Sequence, residues 1–486
     1  MKHLPRKALA ILTAALLTAS LAACGGSGKQ SKSTEAATQS LTEAASAQTA
    51  TETAAQAATE AAKKAALREE DITVSETIEN SADGEHAITA DGESASYSNI
   101  KVVKSGDSSS GDEADFYGEN AAIFATNGAA LDLSQTVIKT DGLHANGVFS
   151  YGEGTTVNIS DSYIETSGNC SGGLMTTGGG TMNASNLTIT TSGNSSAAIR
   201  SDRGGGTVNV DGGSYTTSGT GSPVIYSTAD ITVSNADMTS TASQGVVVEG
   251  KNSVTLKNVT LNADNNTKNS DKSEWYQAVM IYQSMSGDAA EGLSSFTMEG
   301  GTLTNQNGDI FFVNNTATEI RLTDAQIVNN DSGGYFLRAA AAGWGSEGNN
   351  GGQVSLYASK QVINGDMLVD DVSHLNLYLS DGSTFSGAIN SDGQAGEVYV
   401  DLSSGSKWVL TGDSYITSLT CDADSIDLNG HKLYINGTEY TAGSASTGTA
   451  IEVVSTGGGG APDKPGDGHG PGDGGTPPEK PGSKSN

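Results

Sequence analysis

Cysteine is scarce in this chain: Cys24, Cys170 and Cys421 are the whole supply in 486 residues. On the repeat described below, Cys170 and Cys421 lie about ten coils apart, on the order of 50 Å. A disulfide spans about 7 Å between Cα atoms at most, so the two cannot bridge and stability must come from packing and backbone pairing. Cations are scarce as well: Lys and Arg number 25 against 56 Asp and Glu, for a net charge of −31. Phosphate binding needs clustered cations, which disfavours nucleic acid and anionic membrane as partners. Acidity of this kind keeps an extracellular protein soluble and can attract divalent cations. Beyond the N-terminus no apolar run approaches the roughly 20 residues of a membrane-spanning helix. The sequence also lacks a Gly-x-Ser-x-Gly elbow, a clustered His/Cys metal spacing and a phosphate-binding loop.

What the chain has is a repeat. Between Ala121 and Leu261 one turn phrase returns about every 25 residues. It reads Ile138-Lys-Thr-Asp-Gly142, Ile164-Glu-Thr-Ser-Gly168, Ile189-Thr-Thr-Ser-Gly193 and Tyr215-Thr-Thr-Ser-Gly219, with looser versions at Met238 and Leu261. Before each phrase stands an apolar–polar–apolar triplet, such as Leu131-Asp-Leu133, Val157-Asn-Ile159 and Val208-Asn-Val210. Alternation of this kind is strand period, because successive side chains point to opposite faces. Triplets continue past the regular stretch at Phe296-Thr-Met298, Ile320-Arg-Leu322, Val354-Ser-Leu356, Leu375-Asn-Leu377 and Val398-Tyr-Val400. A unit of this length with Gly/Ser/Asn/Thr corners is one coil of a parallel β-helix, and coils must stack because none buries its own apolar residues. Roughly a dozen coils at about 4.8 Å each give a rod on the order of 60 Å long. A β-sandwich also uses short alternating strands, but it does not repeat a turn phrase at fixed spacing.

The repeat resembles the right-handed parallel β-helices of the pectin-lyase-like superfamily, over roughly residues 80 to 440. The segment Leu402-Ser-Ser-Gly-Ser-Lys-Trp408-Val-Leu-Thr-Gly-Asp-Ser414 looks like the end-of-helix segment of bacterial adhesin and autotransporter passengers. The resemblance implies fold more strongly than activity. The expected fold class is therefore all-β, a right-handed parallel β-helix over residues 75–455.

The flanking segments read differently. Residues 1–23 have a basic start, an apolar run from Ala8 to Ala19, and Leu21-Ala22-Ala23 before Cys24. That pattern is a lipoprotein signal with lipidation at Cys24, which predicts a lipid anchor on the extracellular face of a cell membrane. Residues 24–74 are rich in Ala, Thr and Glu and poor in large apolar groups, as a flexible stalk is. Residues 456–486 are Gly/Pro-rich and read as a disordered tail.

Candidate chemistry is sparse. Lyases of the resembled superfamily hold calcium with carboxylates and use Arg or Lys as base, which points to Arg200-Ser-Asp202-Arg203. The competing reading, a solvated corner whose Asp pairs with a neighbouring Arg, is preferred because no partner group lies one coil away. Hydrolases use paired carboxylates, which points to Asp370, Asp371 and His374. Adjacent carboxylates on a strand face opposite ways, however. Two stretches break the period: Asp264 to Gln277, with Asp271, Glu274, Trp275 and Tyr276, and Gly343 to Gly352, with Trp344. Flat aromatic faces beside Asp and Asn suit sugar rings. The alternative is that each Trp folds back over the core. Asp264, Asp271 and Glu274 are the candidate calcium donors. The expected function is a non-catalytic, surface-displayed binder of polysaccharide or of a host or neighbouring cell surface. A polysaccharide lyase or hydrolase is the runner-up, and a purely structural envelope protein the third reading.

Overall fold

The computed structural model describes residues 66–453 apart from positions 273, 394, 395 and 404. The signal segment, Cys24, the stalk up to residue 65 and the 456–486 tail lie outside the described residues. Strands run from Glu76 to Glu439, and nearly all pair in parallel with the coil before and the coil after. The fold is a parallel β-helix. A regular coil carries three strands, as in Ala130–Ser134, Val137–Thr140 and Val148–Tyr151. The first two belong to a 21-stranded sheet that bends at a left-handed residue, Gln135 in this coil. The third belongs to an 11-stranded sheet.

The triplets do what their alternation predicts. Leu131, Val157, Met182, Val208, Ile231, Val254, Phe296 and Ile320 pair in register and form one inward column, each at 1 % exposure or less. Ile138, Ile164, Ile189, Tyr215, Met238 and Leu261 form a second, from the turn phrases themselves. The last triplets sit differently. Ile320 pairs with Leu356, so Val354-Ser-Leu356 enters two residues earlier than its pattern suggests, and Leu375-Asn-Leu377 and Val398-Tyr-Val400 follow it in register. A shift of two keeps every side chain on its own face, so the core tolerates it.

The corners explain the turn phrase. A Cβ on Gly193 would lie 1.8 Å from the carbonyl oxygen of Gly168, so close stacking of the coils demands glycine there. Three residues on, Ser171, Ser196 and Ser222 form a buried column. Each hydroxyl accepts from a backbone N–H of the preceding coil and donates to the carbonyl of Gly142, Gly168 or Gly193. The polar groups of a buried turn are thereby satisfied within the stack. Cys170 and Cys421 are free thiols, and cross-links contribute nothing among the described residues.

Candidate functional site

The outward side chains of the two sheets have different fates. Along the 21-stranded sheet Asp132, Asn158, Asn183 and Asn209 stack in register, and each amide donates to the residue one coil earlier at 2.8–3.0 Å. This face is bare. Along the 11-stranded sheet the outward row is Phe149, Met175, Arg200, Tyr226, Val247, Met280, Phe312 and Arg338. Most of these residues are buried although they point away from the core. Insertions cover them: a short helix, α1 (Asp112–Tyr117), and the loops at 264–276, 283–292 and 341–350.

Midway along the covered row lies a charged knot. Arg200 Nη2 contacts Asp202 Oδ2 at 2.7 Å and Asp115 Oδ2 at 3.2 Å; both carboxylates are buried and the Arg200 side chain keeps 13 % exposure. Burial would raise the Asp115 pKa, but Arg200, His144 and Asn146 outweigh it and hold the group below its ordinary value. For Asp202 burial wins over Arg200, and its pKa is pushed up to about 6. Beside the knot, Tyr226 and Tyr282 both donate to Glu249 Oε2, Tyr282 from 3.1 Å. Burial raises the Glu249 carboxyl and keeps both phenols protonated. Arg203 binds Asp288 at 2.6 Å and lies 4.0 Å over the Phe116 ring, which ties the 283–292 loop to α1.

Part of this set lines a pocket of about 230 Å³, walled by α1 (Asp112, Asp115, Phe116), the covered row (Arg200, Tyr226), Asp202, Asn269 and Asp288. Its floor includes the corners at Ser195 and Gly221. Asn269 occupies the space that a Cβ on Gly221 would need, and Gly221 has φ +63°, so glycine is required twice over.

The same corner position carries chemistry in the preceding coils. His144, Cys170 and Ser195 are left-handed (φ 57°, 55° and 54°) and hydrogen-bond through their backbone N–H to the next coil. Asp115 of α1 stands over the first two. Carboxylate oxygen, imidazole nitrogen and thiol lie within 4.8 Å of one another, and among the described residues this is the one such group of three or more. Burial, then Asp115, raises the Cys170 pKa, so the thiol is not an activated nucleophile.

Two sequence readings need correction. The Arg200–Asp202 corner is not solvated; α1 and the 283–292 loop bury it, and the partner missing one coil away is Asp115, from outside the repeat. Nor is a His/Cys cluster lacking. His144 and Cys170 are distant in sequence but stack as neighbours, each two residues after the glycine of a turn phrase. That shared offset was the available signal; nothing periodic marks Asp115.

The other candidates fall elsewhere. Trp275 packs on Phe312 at 5.5 Å with the Arg338 guanidinium 4.4 Å from its ring, and Trp344 packs on Tyr282 at 5.1 Å. Tyr276 carries Lys268 Nζ 5.5 Å from its ring centre. The two Trp loops meet where the Gly343 N–H donates to the Lys272 carbonyl. Asp271 and Glu274 are exposed, Asp264 is half-buried, and the three do not gather into one group of donors. Asp370 accepts from the backbone N–H of Ala341 and Val372, Asp371 is exposed, and His374 contacts Glu397 at 3.3 Å. No family model, curated protein or solved structure matches the chain.

Proposed function

We propose that this chain is a cell-surface parallel β-helix of the pectin-lyase-like kind, lipid-anchored through Cys24, that binds carbohydrate in the pocket beneath α1. The observation that carries the reading is the convergence of three departures from the repeat, α1, the 264–276 loop and the 283–292 loop, on one concavity. Solenoids keep the rod constant and place function on such insertions. The lining mixes aromatic faces, Phe116 and Tyr226, with groups that donate to and accept from hydroxyls, Asp112, Ser195 and Asn269. Its volume is below the about 300–1,000 Å³ of drug-sized sites, which suits a single ring or chain end. Four carboxylates against one guanidinium in the wall favour a neutral or amino sugar over a uronate. Trp275 and Trp344 serve this site indirectly, by seating the loops.

The full chain, passed over immobilised neutral, amino-sugar and uronic-acid polysaccharides, tests the reading. Retention on one of the first two, lost in the exposed-wall variant Asp112→Asn/Asn269→Ala, is the expected result. Retention on none, or retention that the variant leaves unchanged, removes the pocket as the binding site.

One observation favours a second reading, a glycan-cleaving enzyme. A carboxyl whose pKa lies at about 6 can hold and release a proton near neutrality, as a general acid must. New reducing or unsaturated ends in the flow-through, absent with Asp202→Asn, would establish it.

A further inference from the structure

We propose that Asp115, His144 and Cys170 form a binding site for one borderline-soft divalent metal ion, zinc by preference. The three side chains come from three separate pieces of chain, α1 and two successive corners, and they present an oxygen, a nitrogen and a sulfur within 4.8 Å of one another. Asp115 and His144 are more than nine-tenths buried, whereas Cys170 is half-buried and leaves a way in.

His144 supplies the second, independent observation. Its buried Nδ1 lies 3.2 Å from Asp115 Oδ2, in charge contact but outside hydrogen-bond alignment, and makes no hydrogen bond. Two atoms each about 2.0–2.1 Å from a tetrahedral zinc are about 3.3–3.4 Å apart. The pair already has that spacing, and the thiol closes the triangle by moving on the order of 1 Å at an otherwise fixed corner.

The surroundings suit a dication. Asn146 donates to Asp115 Oδ1 at 3.1 Å, and Arg200 holds Oδ2 from the outer side, so the carboxylate is oriented by its neighbours. With the thiolate formed, Asp115, Asp202 and Cys170 carry three negative charges, balanced by Arg200 and a divalent ion. A thiolate and an imidazole select zinc or cobalt over calcium and magnesium, which take oxygen ligands. Three protein ligands leave a fourth position for water, and Asp115 is the one ligand that also lines the pocket. The site stands whether or not the pocket takes a sugar.

The test uses untagged full chain, stripped with chelator and titrated with cobalt(II). One equivalent should bind per chain, with the strong visible bands of a tetrahedral ion and a near-ultraviolet thiolate-to-cobalt band, and zinc should bleach both. Cys170→Ser should remove the thiolate band. It should fold, because the next coil carries Ser195 at the same left-handed corner. His144→Asn should abolish stoichiometric binding, while Cys421→Ser leaves the spectrum unchanged. Octahedral cobalt only, a thiolate band that survives Cys170→Ser, or displacement by calcium in place of zinc would each overturn the site.

Discussion

The two outer faces of this rod rest on the same core and differ in what the chain lays over them. The 21-stranded sheet shows solvent a ladder of Asp132, Asn158, Asn183 and Asn209, each satisfied by its neighbour one coil away. The 11-stranded sheet turns out Phe149, Arg200, Tyr226 and Phe312, none satisfied by its own row, and needs α1 and three loops to bury them. Where a face is self-sufficient the repeat continues undisturbed. Where it is not, the repeat is interrupted, and the charged chemistry collects at the interruption.

The sharpest way to break the contrast is Arg200→Met. It leaves Asp115 and Asp202 facing each other without a counter-charge, and removing one partner of a buried pair costs about 3–5 kcal/mol. A denaturant titration should show this loss; a change under about 1 kcal/mol would mean the knot is hydrated and the face is not truly covered.

Gly193→Ala tests the corner that both faces share. With 1.8 Å to the Gly168 oxygen the coils must separate locally, for about 1–3 kcal/mol of overpacking. An unaltered unfolding midpoint would show that the stacking is looser than described.

Asp202 sharpens the comparison through pH. Its folded pKa of about 6 lies above that of an exposed aspartate, so between about pH 4 and 6 the folded chain keeps a proton that the unfolded chain has released. Stability contributed by this group is therefore present at low pH and falls as pH rises through that window. Asp202→Asn should remove that slope, and carboxyl NMR should find the titration near 6; a midpoint near 4 would sink the assignment.

The smallest effect belongs to the bare face. Asn209→Ala should change stability by no more than about 0.5 kcal/mol, as solvated positions do. It should also leave glycan retention intact. Retention lost on Asn209→Ala but kept in Asp112→Asn/Asn269→Ala would move the binding site to the ladder.

These contrasts also mark how far sequence reading reaches. The inward columns were legible because Leu131, Val157 and Val208 recur with the period, and periodicity is a one-dimensional signal. The His144–Cys170 stack was legible in principle, through its offset from the turn glycines, but only after the phrases are aligned coil on coil. Asp115 was not. It sits in a six-residue helix outside the repeat, and its meeting with Arg200 depends on how far the insertion folds back. The Trp loops were visible as breaks, yet the side of the ring that would be covered depended on Phe312 and Tyr282, whose outward direction follows from register.

The ties made by the insertions have a mechanical meaning. In a stack bonded only between neighbouring coils, tension between the two ends loads one seam at a time. Each seam that opens frees about 25 residues, or on the order of 85 Å of slack. Several contacts reach across more than one seam, among them the Thr177 hydroxyl on the Phe116 carbonyl, 61 residues apart, Arg203 on Asp288, 85 apart, and Arg200 on Asp115. They act as rivets. A pulled rod should unravel from its unriveted coils first, giving evenly spaced force peaks, and the stretch around α1 should let go last and at higher force. Even peaks of one height along the whole rod would show that the rivets bear no load.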